Sequence, residues 1–269
     1  MYVQGNGKIA VRGDQLSHII TMLSKLEVSS VALAKIDKAN LPDGFASGCL
    51  MDYHGHRLLL TVAHAAQEGP PLALALGWDP ALRRVKLWRF GGLNFLARAQ
   101  LSTGMKIEEM KLNEVDFAYV DVPSEHQPRL EKIDAQTGNI VESRACTIWP
   151  ASAIAEPEAG VRYGFAGHTK PSLEDHALIA ADVKFCFTEL RVCFPLSFVG
   201  QREDLFAFQL TVDHPGHDYF HGCSGAPIVD EEGRVVALVC EGSIEDSIIY
   251  GISLRRYQVA LDVHTGRFG

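Results

Sequence analysis

His221-Gly222-Cys223-Ser224-Gly225-Ala226-Pro227-Ile228-Val229 is a loop of small residues that opens into an apolar strand. Glycine on both sides of a hydroxyl permits a tight turn with successive backbone N–H groups pointing outward, so Ser224 would sit where a developing oxyanion can be held. Alone, G-x-S-G also reads as an ordinary turn. Two segments nearer the N-terminus give it a context. In Leu58-Leu59-Leu60-Thr61-Val62-Ala63-His64-Ala65-Ala66 an apolar strand ends in small residues around one histidine. In Asn113-Glu114-Val115-Asp116-Phe117-Ala118-Tyr119-Val120 a carboxylate opens an otherwise apolar strand. Taken singly, His64 reads as a satisfied, partly buried imidazole and Asp116 as a turn residue, although a carboxylate in that setting needs a partner.

Around these segments the chain alternates short runs of Val, Leu, Phe and Tyr with turn residues. The pattern predicts strands at 31–36, 45–53, 57–62, 85–90, 93–99 and 115–122. After a polar stretch it resumes at 145–149, 161–166, 178–198, 205–212, 235–240 and 248–254. The segment Pro123 to Asn139, rich in turn formers, is the expected connection between two sets of strands. Before them, Leu16, Ile19, Ile20, Leu23 and Leu26 recur at helical spacing behind Asp14, which predicts an amphipathic helix over 14–26. We expect that helix to pack against the first lobe, with docking of a partner as the alternative. No fixed-period repeat, low-complexity tract or heptad seam interrupts this all-β reading.

The order His, Asp, Ser, with these flanking residues, resembles the chymotrypsin-like (trypsin-like) serine peptidase family. That family's T-A-A-H context is matched by Thr61-Val62-Ala63-His64, its D-[IL]-A-[LV] by Asp116-Phe117-Ala118-Tyr119, and its G-D-S-G-G-P by Gly222-Cys223-Ser224-Gly225-Ala226-Pro227. The resemblance spans roughly Val28 to Leu261 and extends to stand-alone trypsin-like proteases of bacteria. It implies an all-β fold of two six-stranded antiparallel β-barrels behind an N-terminal extension (1–27). The first barrel (28–130) would hold His64 and Asp116 and the second (131–269) would hold Ser224. It further implies that Ser224 is the nucleophile, His64 the general base and Asp116 the group that orients the imidazole. Gly222 and Ser224 N–H groups would form the oxyanion hole, with no metal or organic cofactor. A protein or peptide substrate follows, with a regulatory protein as a possible trigger. The competing reading is a protein-binding module whose chemistry has lapsed; an esterase using the same triad is a third.

The chain departs from the family pattern in places. Cys223 stands where the zymogen-activated branch has aspartate, and no Ile-Val-Gly-Gly-like start is present. Activation by N-terminal cleavage is therefore not expected. Cys223 is out of register for a cysteine nucleophile and reads as a small structural residue. Asp218 lies where trypsins keep the carboxylate at the base of the primary pocket, and with Glu241 it would favour Arg or Lys before the scissile bond. The expected substrate-binding set is Asp218, His221, Cys240, Glu241 and Gly242. His214, His217 and His221 have loose spacing for metal ligands and read as a polar loop. If one of them touched the substrate, the preference would turn to acidic side chains, and the sequence leaves that conflict open.

Composition bounds the partners. The 269 residues are 47% hydrophobic and 22% charged, enough for a substantial core, and the formal charge of −8 opposes a broad nucleic-acid footprint. No apolar run is long enough to suggest a membrane span, and the N-terminus lacks the pattern of a secretory signal, so a cytoplasmic protein without membrane contact is expected. The six cysteines (Cys49, Cys146, Cys186, Cys193, Cys223, Cys240) are widely spread and are expected as free thiols.

Overall fold

The runs of branched and aromatic residues pair into antiparallel sheets that divide the chain into two lobes. The computed structural model describes residues 13–37, 42–67, 71–100, 111–134, 136–170 and 188–267. Helix α1 (Gly13–Glu27) leads into β1 (Val31–Ile36), β2 (Pro42–Tyr53) and β3 (His56–Thr61), and one helical turn, α2 (His64–Gln67), follows. The first lobe continues with β4 (Leu72–Asp79), β5 (Arg84–Arg89), β6 (Asn94–Gln100) and β7 (Lys111–Asp121). Its strand order is β5-β4-β1-β2-β3-β7-β6, a barrel-like sheet rather than a ring closed by strand pairing among the described residues.

The connection carries structure of its own. Strands β8 (Arg129–Ile133) and β9 (Ile140–Ala145) form a separate hairpin, and β10 (Ile148–Pro150) pairs in parallel with β2. The boundary expected at residue 130 thus falls inside β8, and the chain reaches the second lobe only at β11 (Arg162–Thr169). That lobe adds β12 (Glu189–Arg202), β13 (Leu205–Leu210), the turn α3 (His217–Phe220), β14 (Pro227–Asp230), β15 (Val235–Ser243) and β16 (Ile248–Ser253). The order β11-β12-β13-β16-β15-β14 closes into a six-stranded barrel. Residues 178–187 of one expected strand, Cys186 among them, lie outside the described residues.

Each lobe is filled by the apolar side chains of its strands, several of which are buried on both faces. Leu33, Leu50, Leu58, Leu59 and Phe117 are fully buried in the first, and Tyr163, Phe165, Leu196, Phe208 and Ile228 in the second. Helix α4 (Gln258–His264) returns the chain from the second lobe to the first. Tyr53 Oη donates to Asp262 at 2.8 Å, His264 bonds Asp121 at 2.7 Å, and Tyr257 stacks on Phe117.

Helix α1 corrects an expectation, because it lies on β11 and β12 of the second lobe and not on the first alone. Met22 and Leu26 are buried while Leu16 and Ile20 are exposed. Leu26 fits because Gly164 in β11 has no side chain; a Cβ there would lie 2.7 Å from Leu26 Cδ1. His18 reaches Glu231 at 2.6 Å on the same side. Among the described residues no helix is long and apolar enough to cross a membrane.

Candidate active site

The register of the first lobe sets the positions of His64 and Asp116. Strand β3 runs antiparallel to β7 with Thr61 opposite Ala118, so the residues just after β3 emerge beside Asp116. Asp116 holds His64 at two points. Its Oδ1 accepts from the His64 backbone N–H at 2.8 Å and its Oδ2 lies 2.7 Å from the ring Nδ1. Burial raises the Asp116 pKa, but the bonds from His64 and Cys240 outweigh it and leave the carboxyl below its usual range. An ionised carboxylate can only accept, so Nδ1 carries a proton, and in the neutral imidazole Nε2 is the nitrogen with the free lone pair.

Ser224 comes from the second lobe, in the loop between α3 and β14. Gly222 (φ 103°) and Gly225 (φ 91°) give that loop its shape. A Cβ on Gly222 would lie 2.5 Å from His168 O, and one on Gly225 would lie 2.1 Å from Ser47 O. The loop is fastened to the first lobe through Ser47 of β2, a residue that the motifs do not mark. Ser47 N–H donates to Ser224 O (2.9 Å) and Ser47 Oγ donates to Gly222 O (2.8 Å). His168 N–H donates to Ser47 Oγ and Thr61 Oγ1 donates to Ser47 O, both at 2.8 Å. Ser47 and Thr61 are fully buried, so these bonds are shielded from competing water. Among the described residues, no hydrogen bond uses the N–H of Gly222 or Ser224.

His64 and Ser224 line one cleft of about 460 Å³ between the lobes, and Cys240, Glu241, Gly242 and His221 line it with them. In this structure Ser224 Oγ donates to Cys240 O at 3.4 Å. The Cys240 thiol lies 3.0 Å from Asp116 Oδ2; burial and that carboxylate push its pKa far up, so it stays a thiol and donates. Cys223 is fully buried behind the loop, and burial raises its pKa as well, which leaves it no thiolate for attack. The five described cysteines are free thiols.

Two specificity expectations need correction. Asp218 is exposed on α3 and is not among the residues that line the cleft, because the turn carries its side chain outward. Glu241 does line it, but its carboxylate is paired with Arg202, whose guanidinium also lies over the Tyr250 ring. The cleft is instead lined by His214 and His217, together with Lys35. The two histidines stood in the sequence as part of a polar loop, and no local pattern distinguishes an inward ring from an outward one. Among the described residues, the one group of three or more ligand-type side chains whose ligand atoms all lie within 4.8 Å of one another is His64, Asp116 and Cys240. His64 Nδ1 and Cys240 Sγ both bond Asp116 Oδ2 within that group.

No protein-family model matches the chain, and no curated protein matches it in sequence. Solved structures do match. Human heparin binding protein aligns over 88% of this chain and 91% of its own, with a TM-score of 0.51 and 13% identity. The serine endoprotease from Yersinia pestis aligns with a TM-score of 0.47 and 12% identity over 89% of this chain, which spans 64% of that endoprotease. Tobacco etch virus protease in complex with its product aligns at 0.43 and 10% identity, over 94% of this chain and 82% of the viral chain. With the closed second barrel and the barrel-like first lobe, the chain has the two-lobed β fold of the chymotrypsin-like proteases.

Proposed function

We propose that the chain is a serine endopeptidase that acts on particular protein targets through Ser224, His64 and Asp116. The observation that carries this reading is the two-point hold of Asp116 on His64, which makes Nε2 the accepting nitrogen of the neutral ring in the cleft that Ser224 also lines. A χ1 rotation of Ser224 between staggered wells re-aims Oγ from Cys240 O into the cleft. As Oγ attacks the peptide carbonyl carbon, His64 Nε2 takes its proton and Asp116 stabilises the imidazolium. The carbonyl oxygen becomes an oxyanion held by the Gly222 and Ser224 N–H groups, each worth about 3 kcal/mol in such sites. Collapse breaks the C–N bond, His64 protonates the leaving amine, and water repeats the cycle on the acyl-enzyme with His64 again as base.

One observation favours the second reading, a binding module on the same fold: the Ser224 hydroxyl is bonded to Cys240 O and not to His64. A fluorophosphonate probe separates the two. An endopeptidase is labelled at Ser224, and labelling disappears in Ser224→Ala. Purified wild type that resists the probe and cuts no member of a proteome-derived peptide library would instead be a binding module.

A further inference from the structure

Next to Ser224 the cleft holds a hydrogen-bond donor that the peptidase chemistry does not use. His214 is 8% exposed, with its ring edge-on to Phe220 (5.2 Å) and beside His217 (5.8 Å). Its backbone N–H donates to Ser247 Oγ at 3.0 Å. The Gly216 N–H donates to its Nδ1 at 3.0 Å, which makes Nδ1 an acceptor and puts the ring proton on Nε2. Burial, and then the proximity of His217, hold the His214 pKa below the usual histidine range, in keeping with that neutral tautomer.

Nε2 faces Gly242. A Cβ at that position would lie 2.7 Å from it, so glycine keeps the space in front of the donor open. Gly242 is two residues along β15 from Cys240, whose carbonyl accepts from Ser224 Oγ. A substrate side chain entering beside Ser224 along this strand therefore meets His214 Nε2–H. His217 and His221 line the same cleft and bring no carboxylate to it. The one carboxylate among the described lining residues, Glu241, is paired with Arg202.

We infer that this pocket selects substrates with a carboxylate side chain, glutamate or aspartate, immediately before the scissile bond, with His214 as the specificity-determining residue. The inference rests on the endopeptidase reading above. A carboxylate accepts from Nε2–H in a charge-assisted hydrogen bond, the stronger kind. A carboxamide gains only a neutral hydrogen bond, and a Lys or Arg side chain would meet a donor and no free carboxylate.

The test is a set of fluorogenic peptides identical except for Glu, Asp, Gln, Leu, Arg or Lys before the cleaved bond, with fluorophosphonate labelling of the same preparation. The expected result is kcat/KM at least tenfold higher for Glu or Asp than for Gln or Leu, and lowest for Arg and Lys. In His214→Leu the Glu-to-Leu ratio should fall by at least thirtyfold. A ratio does not depend on how much of a variant folds. A labelled enzyme that prefers Gln, Leu, Arg or Lys, or that cuts none of the set, overturns the inference and leaves the peptidase reading standing. An unlabelled, inactive wild type overturns both.

Discussion

The two lobes build their shares of the cleft by different means. The first lobe positions side chains with side chains: the Asp116 carboxylate bonds both the backbone and the ring of His64, and Cys240 Sγ backs that carboxylate from across the cleft. The second lobe positions backbone with backbone. The loop 222–225 takes its shape from glycine dihedrals and is clamped from outside by Ser47. The contrast shows where each half is fragile. A single polar atom exchanged in the first lobe should change chemistry without changing the fold, whereas a single methyl group in the second should change the fold around the chemistry.

The largest effect expected from this contrast is Asp116→Asn. The carboxamide NH2 can donate to Nδ1, which would shift the ring proton to Nε2 and remove the base. Peptide cleavage should fall by about 10⁴-fold, as it does in comparable triads, while the Tm changes little. A loss below tenfold in kcat/KM would mean that His64 does not depend on Asp116 for its tautomer.

Gly225→Ala probes the other lobe. Its Cβ would meet Ser47 O at 2.1 Å and Thr61 Oγ1 at 2.3 Å, at a dihedral that L-residues rarely adopt. Strain and overpacking together should destabilise the protein by about 3 kcal/mol and abolish fluorophosphonate labelling. Urea unfolding checks the first effect. A variant as stable as wild type would show that the loop is free to move away from Ser47.

The smallest effect separates the lobes by pH. His168, whose backbone supports Ser47 and whose carbonyl abuts Gly222, is buried, and burial pushes its pKa down from 6.5 to about 4. Between those values the unfolded chain takes up a proton that the folded chain refuses. Stability should therefore fall by up to roughly 3 kcal/mol as pH drops from about 6.5 to 4, and stay fully present above that window. Asp116 has a depressed pKa, so its contribution persists through that window and is lost only as pH falls further, through its folded pKa. His168→Gln should flatten the upper part of the acid profile and leave the lower part, as read by chemical denaturation across pH. An unchanged slope in the variant would remove His168 from the account.

Much of this was legible in the residues. The short apolar runs Leu58 to Val62 and Val235 to Cys240 foretold buried strands because a run of branched residues bounded by turn formers is a local property of the chain. The glycines at 222 and 225 foretold the loop because only they accept its dihedrals cheaply. The hairpin β8–β9, the return helix α4 and the strand β4 were not read. They are held by distant partners, such as the Trp78 backbone N–H donating to Glu131 of β8 or Phe117 stacking on Tyr257 just before α4.

By itself the sequence determined a two-part β chain with a histidine at one strand end, an aspartate in another strand and a serine between glycines. Only the tertiary structure decided that Ser47 clamps the serine loop and that Asp218 turns outward. It also decided that Arg202 neutralises Glu241, that His214 turns inward, and that α1 lies on the second lobe. The physical reason is range. Strand period and turn dihedrals are fixed by neighbours along the chain, whereas the direction of a loop side chain is fixed by which residue from another element reaches it first.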